Sequence, residues 1–435
     1  MEYQQTIFDF LYEQKKINKK IRLIELFAGI GSQAKALKNI GADFETYKVV
    51  EFDKYAIASY NAIHNTNFLT QDITQISGND LEIIDTKNYE YIMTYSFPCQ
   101  DLSLAGKQKG MSKGTSTRSG LLWEVERLLN ECKELPQILL MENVPMIHSK
   151  DNISDFNLWI NFLESKGYKN YWQDLNAKNY GIPQNRNRTF MISILGDYNY
   201  VFPKKKKLKL RLKDMLEDEV DDSYYLSEKD ILKIYNWNAY QKPLDRVLGN
   251  ESISPTITAR GAGEDHSGMI LLSTVLENDT KILIPEETKQ GYAVAGDGDG
   301  DGVYINRPHQ KRGVVQKGLI QTIKTQPDDL GVVVKLKKNT NNYIEWEEEG
   351  KLDCDCRAWK ENCVAPTTTT TPKTKVLLSD LRIRKLTPKE CYRLMGFSDE
   401  DYEKASKVNS KAQLYKQAGN SIVVNVLEEI FKQLF

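Results

Sequence analysis

A chain of 435 residues, 40% hydrophobic and 27% charged, has the composition of an ordinary globular protein with room for a large core and more than one domain. No apolar run approaches the roughly 20 residues of a membrane-spanning helix, and the N-terminus lacks the charge order and cleavage site of a secretory leader. A formal net charge of -1 excludes a global polycation, so any grip on nucleic acid must come from local patches, and six scattered cysteines point to a reducing cytoplasm rather than a disulfide framework.

Leu23 to Phe27 is an apolar run of strand length, followed by a glycine turn and a helical stretch from Gln33 to Asn39. Tyr47 to Phe52 is a second strand candidate, and Asp53 is placed to cap a helix through Ala56, Ile57 and Tyr60. Tyr91 to Phe97 and Ile138 to Met141 are further strand candidates. Between them Leu121, Leu122, Val125, Leu128 and Leu129 recur at helical spacing behind Ser119, the expected N-cap. Thr189 to Ile194 closes this half. Strands alternating with helices predict a doubly wound α/β sheet whose ligands sit outside the carboxyl ends of the strands.

A basic run, Lys204-Lys205-Lys206-Lys207 continuing through Lys209, Arg211 and Lys213, marks a change of pattern. It is either a solvated linker edge or a nucleic-acid contact. From about 205 to 380 short β-like pieces and turns predominate, and Pro255 to Ala259 resembles Gln321 to Thr325. Helical sequence returns at Thr387 to Phe397 and Ile422 to Leu434. The spacing therefore predicts a first domain of residues 1–204 with 412–435, a smaller β-rich insertion at 205–385, and a connecting helical segment at 386–411.

Several short motifs carry chemistry. In Phe27-Ala28-Gly29-Ile30-Gly31 the glycines let backbone approach a ligand at a helix N-terminus, although a tight turn of any α/β fold has the same composition. Glu51 follows the second strand where a carboxylate can accept from ribose hydroxyls, and Asp72-Ile73 pairs a carboxylate with an apolar wall. Cys99 sits in Phe97-Pro98-Cys99-Gln100 at the end of a strand, a placed thiol rather than a core one. Asp297-Gly298-Asp299 imitates a calcium loop, but Pro308 falls where the bidentate glutamate is needed. Cys354-Asp355-Cys356 and Cys363 have the wrong spacing for zinc, so no metal is expected.

Taken in order, the FAGIG turn, Glu51, Pro98-Cys99-Gln100, Glu142-Asn143-Val144, Gln184-Asn185-Arg186-Asn187-Arg188 and Gln417-Ala418-Gly419-Asn420-Ser421 resemble the blocks of the DNA cytosine-5 methyltransferase family in its bacterial and phage form. Arg384 to Glu390 through Phe397 is similar to the family's helix before the last block. The resemblance covers about residues 21–200 and 382–431. It implies a Rossmann-like methyltransferase sheet, S-adenosylmethionine as methyl donor, and double-stranded DNA as partner with the target cytosine flipped out. It also implies action as a cytoplasmic monomer and leaves room for a cognate restriction enzyme.

By position the resemblance makes Cys99 the nucleophile, Glu142 the proton donor to the cytosine ring, Arg188 the residue orienting the base, and Arg186 its support. It places the cofactor against Phe27, Gly29, Gly31, Glu51, Phe52, Asp72, Ile73, Pro98, Leu121, Asn420 and Ser421. Gln100 to Ser119 resembles the loop that closes over the flipped base. Thr256-Ile257 or Thr322-Ile323 matches a Thr-Leu pair of the domain that reads base edges in the major groove. Glu25, Ser32 and Gln71 depart from the family pattern. An RNA cytosine-5 methyltransferase shares the Pro-Cys-Gln and Glu-Asn-Val blocks, but the long insertion favours DNA.

Overall fold

The computed structural model describes residues 13–98, 111–114, 119–225 and 381–435, and several short strands between 247 and 331. The predicted strands of the first half are present: β1 (Ile21–Leu26), β2 (Phe44–Val50), β3 (Glu90–Tyr95) and β4 (Ile138–Asn143), with β5 (Tyr168–Asn176), the short β6 (Gln184–Asn185) and β7 (Asn187–Leu195) after them. Six of them form one sheet in the order β2-β1-β3-β4-β7-β5. Neighbours from β2 to β4 pair in parallel. Strand β7 runs antiparallel between β4 and β5.

The connection from β1 to β2 leads to one side of the sheet, and the next returns to the other side of β1. This is the topological switch at which open α/β sheets bind ligands. Phe27, Glu51, the Phe97-Pro98 turn and Asn143 all stand at carboxyl ends of these strands.

Helices cover both faces, because the central strands β1, β3 and β4 are buried on both; the edge strand β2 is half-buried over most of its length. Alternate residues Ile24 and Leu26 share a core with Tyr91, Met93, Leu139 and Met141, under α3 (Leu122–Glu131) and α4 (Ile153–Ser165) through Val125, Leu128, Phe156 and Trp159. On the opposite face lie α1 (Ser32–Asn39) and α2 (Lys54–His64), reached by Glu25, which accepts from the Ala34 N–H and the Tyr60 hydroxyl. The last quarter adds α5 (Pro388–Leu394), α6 (Asp399–Ser406), α7 (Lys411–Asn420) and α8 (Val424–Lys432). Helix α8 packs on α1, and α6 on α2.

Local chemistry explains most boundaries. Asp53 caps α2, accepting from Tyr55 N–H at 2.9 Å, as its sequence position predicts. Thr387 and Glu390 form a capping box at α5, with Pro388 as its first helical residue. Ser119 is a correction. It does not cap α3 but opens a 3-10 turn, Ser119–Leu121, that runs into the helix.

The chain divides into two compact units. One comprises residues 1–218, 251–267 and 386–435; the other comprises 219–250 and 268–385. The second is β-rich: Met269–Ser273 pairs antiparallel with Leu381–Lys385 and parallel with Val247–Leu248. Lys281–Pro285 and Tyr292–Gly296 form a hairpin, and Gly302–Tyr304 pairs with Val314–Gln316 and Leu330–Gly331. Thr256-Ile257, Thr322-Ile323 and Cys354 to Cys363 lie outside the described residues. Among the described residues no helix is long and apolar enough to cross a membrane, and no group of three metal-ligating side chains occurs.

Candidate active site

The turn after β1 has a demanding backbone. Phe27, Gly29 and Gly31 all have positive φ, at 57°, 57° and 80°. At Gly31 a Cβ would come within 2.3 Å of His64 Nε2 and 2.6 Å of Tyr60 Cε2, so this position needs glycine for space as well as conformation. At Gly29 a Cβ would meet nothing within 4 Å; here the conformation alone favours glycine. The turn is tied to β2 by Phe27 N–H donating to Val50 O at 2.8 Å.

Glu51 fixes the turn from the next strand. One carboxylate oxygen accepts from Gly29 N–H and the other from Asp53 N–H, each at 2.9 Å. Burial raises the carboxyl above its ordinary value, and those two N–H donors oppose the rise. The next residue, Phe52, is 73% exposed, which costs apolar hydration unless something covers the ring. Asp72 accepts from the backbone and hydroxyl of Thr74, forming a tight turn, and Ile73 beside it is buried. A buried acid held on backbone amides, an uncovered aromatic ring and an apolar wall at the carboxyl ends of two adjacent strands suit an adenosine group.

Beyond β3, Cys99 and Gln100 lie outside the described residues, as does most of the expected loop. Pro98 is half-buried, and its surroundings are fixed on two sides. Asn143 Nδ2 donates to Phe97 O at 3.0 Å, and Ser119 Oγ donates to Pro98 O at 2.7 Å. The described piece of the loop, Met111 to Gly114, is anchored: Met111 is buried, and Trp123 Nε1 donates to its carbonyl at 2.7 Å. Leu121, in the turn that Ser119 opens, is half-buried.

Glu142, the last residue but one of β4, has its carboxylate 3.2 Å from Arg188 Nε on β7. Burial pushes its carboxyl up; Arg188 and then Arg186 oppose the shift without reversing it. An ion pair next to a raised carboxyl pKa is a conflict, and desolvation prevails because the group is almost wholly enclosed. Arg188 also donates to Asn187 O at 2.7 Å.

Arg186 behaves differently. Its buried guanidinium donates to Gly419 O at 3.0 Å and Ser421 O at 2.8 Å, gripping the Gln417-Ser421 block by its backbone. Within that block Ser421 is buried and its hydroxyl donates to Gln417 O, whereas Asn420 is exposed. The block is joined to the cofactor side as well. Gln417 accepts from Ser59 Oγ and donates to Tyr55 O, and Lys416 pairs with Asp53 at 2.7 Å.

Three residues hold positions that the sequence does not announce: Asn143 and Ser32, which carry no role in the sequence reading, and Ser119, which it offers only as a helix cap. Asn143 was visible inside the Glu-Asn-Val block, and Ser32 as a departure from glycine; its hydroxyl accepts from Ile422 N–H at 3.3 Å. Nothing local signals Ser119, because its partner is 21 residues away.

The sheet order and these strand-end groups define an α/β protein of the methyltransferase class. Solved structures with the same fold include a methyltransferase of Entamoeba histolytica (TM-score 0.60, 16% identity, 96% of this chain and 98% of that one) and the S. pombe Dnmt2 methyltransferase (0.55, 17%, 96% and 98%). The family model for C-5 cytosine-specific DNA methylases matches residues 21–435, and the chain belongs to that family. Type II methyltransferase M2.ScrFI of Lactococcus lactis subsp. cremoris is 29% identical over 464 residues, covering 95% of this chain and 99% of the relative. Orphan methyltransferase M.Rho11sI of Bacillus phage rho11s is 30% identical over 506 residues, covering 95% and 98%. This protein is accordingly a DNA cytosine-5 methyltransferase.

Proposed function

We propose that the protein uses S-adenosylmethionine to methylate carbon 5 of a flipped-out cytosine in double-stranded DNA, through a covalent adduct between Cys99 and carbon 6. The observation that carries this reading is Glu142, a buried acid with a raised pKa, set beside Arg188 at the carboxyl end of β4. Glu51, Phe52, Asp72, Ile73 and the Phe27–Gly31 turn fit the donor's adenosine, with Pro98, Leu121, Asn420 and Ser421 completing the pocket. Bound there, the donor supplies an electrophilic methyl group.

Cytosine carbon 5 is a poor nucleophile until carbon 6 is attacked. The Cys99 thiolate adds to carbon 6, and the displaced electron pair moves toward N3. Glu142, whose protonated form burial favours, donates its proton to N3 and prevents charge from accumulating on the ring. Arg188 orients the base and Glu142 together, and its positive charge favours the thiolate form of Cys99. Once carbon 5 carries the methyl group, a base takes the carbon-5 proton, the electron pair left behind re-forms the carbon 5–carbon 6 double bond, and Cys99 leaves as thiolate while the N3 proton returns to Glu142. Arg186 is a positioning residue, since its bonds go to Gly419 and Ser421. The β-rich unit reads the target sequence, the protein acts as a monomer, and a cognate restriction enzyme is a partner to look for.

The test is bisulfite sequencing of plasmid from cells expressing the protein, beside Cys99→Ser. Protected cytosines at one short recurring sequence, absent from the variant, are expected. Plasmid left unmethylated by soluble wild-type protein would overturn the reading, and methylated RNA from the same cells would transfer the chemistry to RNA.

A further inference from the structure

Residues 203–209 take no part in the chemistry described above, yet their placement is specific. The run is tied at one end to the turn Ala177–Tyr180 that leaves β5: Tyr180 Oη donates to Pro203 O at 3.0 Å, and Lys206 N–H to Asn179 O at 2.8 Å. The same turn is bonded to the catalytic segment, since Ala177 N–H donates to Arg186 O at 3.0 Å. A few residues further on, Arg393 of α5 donates to Met215 O and Leu216 O, and the next residue of that helix, Leu394, accepts from Gln184 Nε2 at 2.7 Å. Both ends of the lysine run are thus fastened to elements that touch the Gln184–Arg188 segment.

Within this stretch Lys206 is committed to an ion pair with Glu429 at 2.6 Å. Lys204, Lys205, Lys207 and Lys209 are exposed, and among the described residues none of the four forms an ion pair. Of the acids that follow, Asp214 accepts from Arg211 N–H, and Glu217 accepts from the Thr387 hydroxyl and faces Lys389 at 3.9 Å; Asp218 and Glu219 are exposed, and among the described residues neither pairs with any of the four lysines. Four like charges kept together on an anchored backbone repel one another, a cost that an anionic partner removes.

We propose that Lys204, Lys205, Lys207 and Lys209 form a ridge that grips the phosphate backbone of double-stranded DNA beside the catalytic strand β7. The inference rests on the DNA reading above and adds a surface to it. Such contacts position the duplex without reading sequence, so the ridge supports binding to any duplex and holds the strands as one base is withdrawn.

The test uses the full chain and a linear plasmid duplex, with the association constant measured from about 50 to 200 mM salt. Each phosphate contact contributes about 0.9 to the log–log salt slope, so replacing all four lysines by alanine is expected to reduce the slope by up to about 3.6. The loss of affinity over that fourfold salt range then shrinks by up to roughly 150-fold. The Lys→Arg version of the same variant is expected to keep the wild-type slope. Lys87→Ala with Lys133→Ala, at exposed positions before the amino ends of the central strands β3 and β4, opposite the carboxyl ends that carry the site, is expected to leave it unchanged. An alanine variant that melts like wild type and keeps the wild-type slope overturns the ridge while leaving the methyltransferase reading intact. A slope lowered equally by the Lys87 and Lys133 changes also overturns it. Failure of the wild type itself to bind or methylate DNA overturns both.

Discussion

At the scale of single residues, two buried acids separate chemistry from architecture. Glu142 lies 3.2 Å from Arg188 Nε, and burial still raises its pKa. As a proton donor it works only while protonated, so the rate should fall on the alkaline side of its titration. Glu142→Gln keeps the shape but removes the acid. It is expected to lower single-turnover methylation by about 100-fold or more, the usual scale of general acid catalysis, and to abolish that alkaline limb. Titration calorimetry should show S-adenosylmethionine binding little changed. Glu25 is also an acid under the sheet, pushed up to about 7 by burial against the hydrogen bonds from Tyr60 and the backbone of Ala34 and Gln33. Its folded pKa exceeds its unfolded one, so the native state holds the proton more tightly. The stabilisation is complete below about pH 4.5 and is lost as pH rises through about 7, a total of up to about 3 kcal/mol. Melting temperatures compared at pH 5 and pH 8 should show a smaller drop in Glu25→Gln than in wild type.

Among elements, the Gln184–Arg188 segment does two jobs, and its residues divide them. Arg188 faces the acid, while Arg186 holds the Gln417–Ser421 block through two carbonyls. Arg186→Met removes both charge-assisted bonds and leaves the carbonyls buried, at a cost of about 3 kcal/mol. The urea midpoint should fall accordingly, and S-adenosylmethionine binding should weaken, because the block is also bonded to α2 beside Phe52. The elements most legible in the sequence were those with a local cause. Strands β1, β3 and β4 are buried and largely apolar, Asp53 caps its helix as its position predicts, and helical sequence returns at Thr387, where α5 begins. Strand β5 was missed: Tyr168-Lys169-Asn170-Tyr171-Trp172-Gln173-Asp174-Leu175-Asn176 is an edge strand, half polar, and only its pairing with β7 shows it. Helix α4 was passed over as well, although Phe156, Trp159 and Leu163 recur at helical spacing. Motifs supplied Glu142 and Glu51, but the bonds that set their geometry join residues distant in the chain.

For the whole molecule, closure of the first unit depends on its last residues. Val424, Val426, Leu427, Ile430, Phe431 and Leu434 are all buried. Side chains of this kind contribute about 1.5–3 kcal/mol each, together comparable with the entire stability of a typical domain. A chain stopped after Ser421 is therefore expected to be insoluble or to lose its near-ultraviolet dichroism, even though every proposed catalytic and cofactor residue remains. Restoring activity by adding residues 422–435 as a separate peptide would support this account; a soluble, fully active truncated chain would refute it.

Helix α8 reaches α1 only after the whole β-rich unit has been made. A ribosome adding about 5–20 residues per second leaves the underside of α1 bare for some tens of seconds. Once β4 has been made, the nascent chain carries the first four strands of the sheet and a sticky, uncovered helix for the rest of that interval. Folding yield should thus be governed by translation speed and chaperone supply, and slowing synthesis across the insertion should lengthen exposure rather than help.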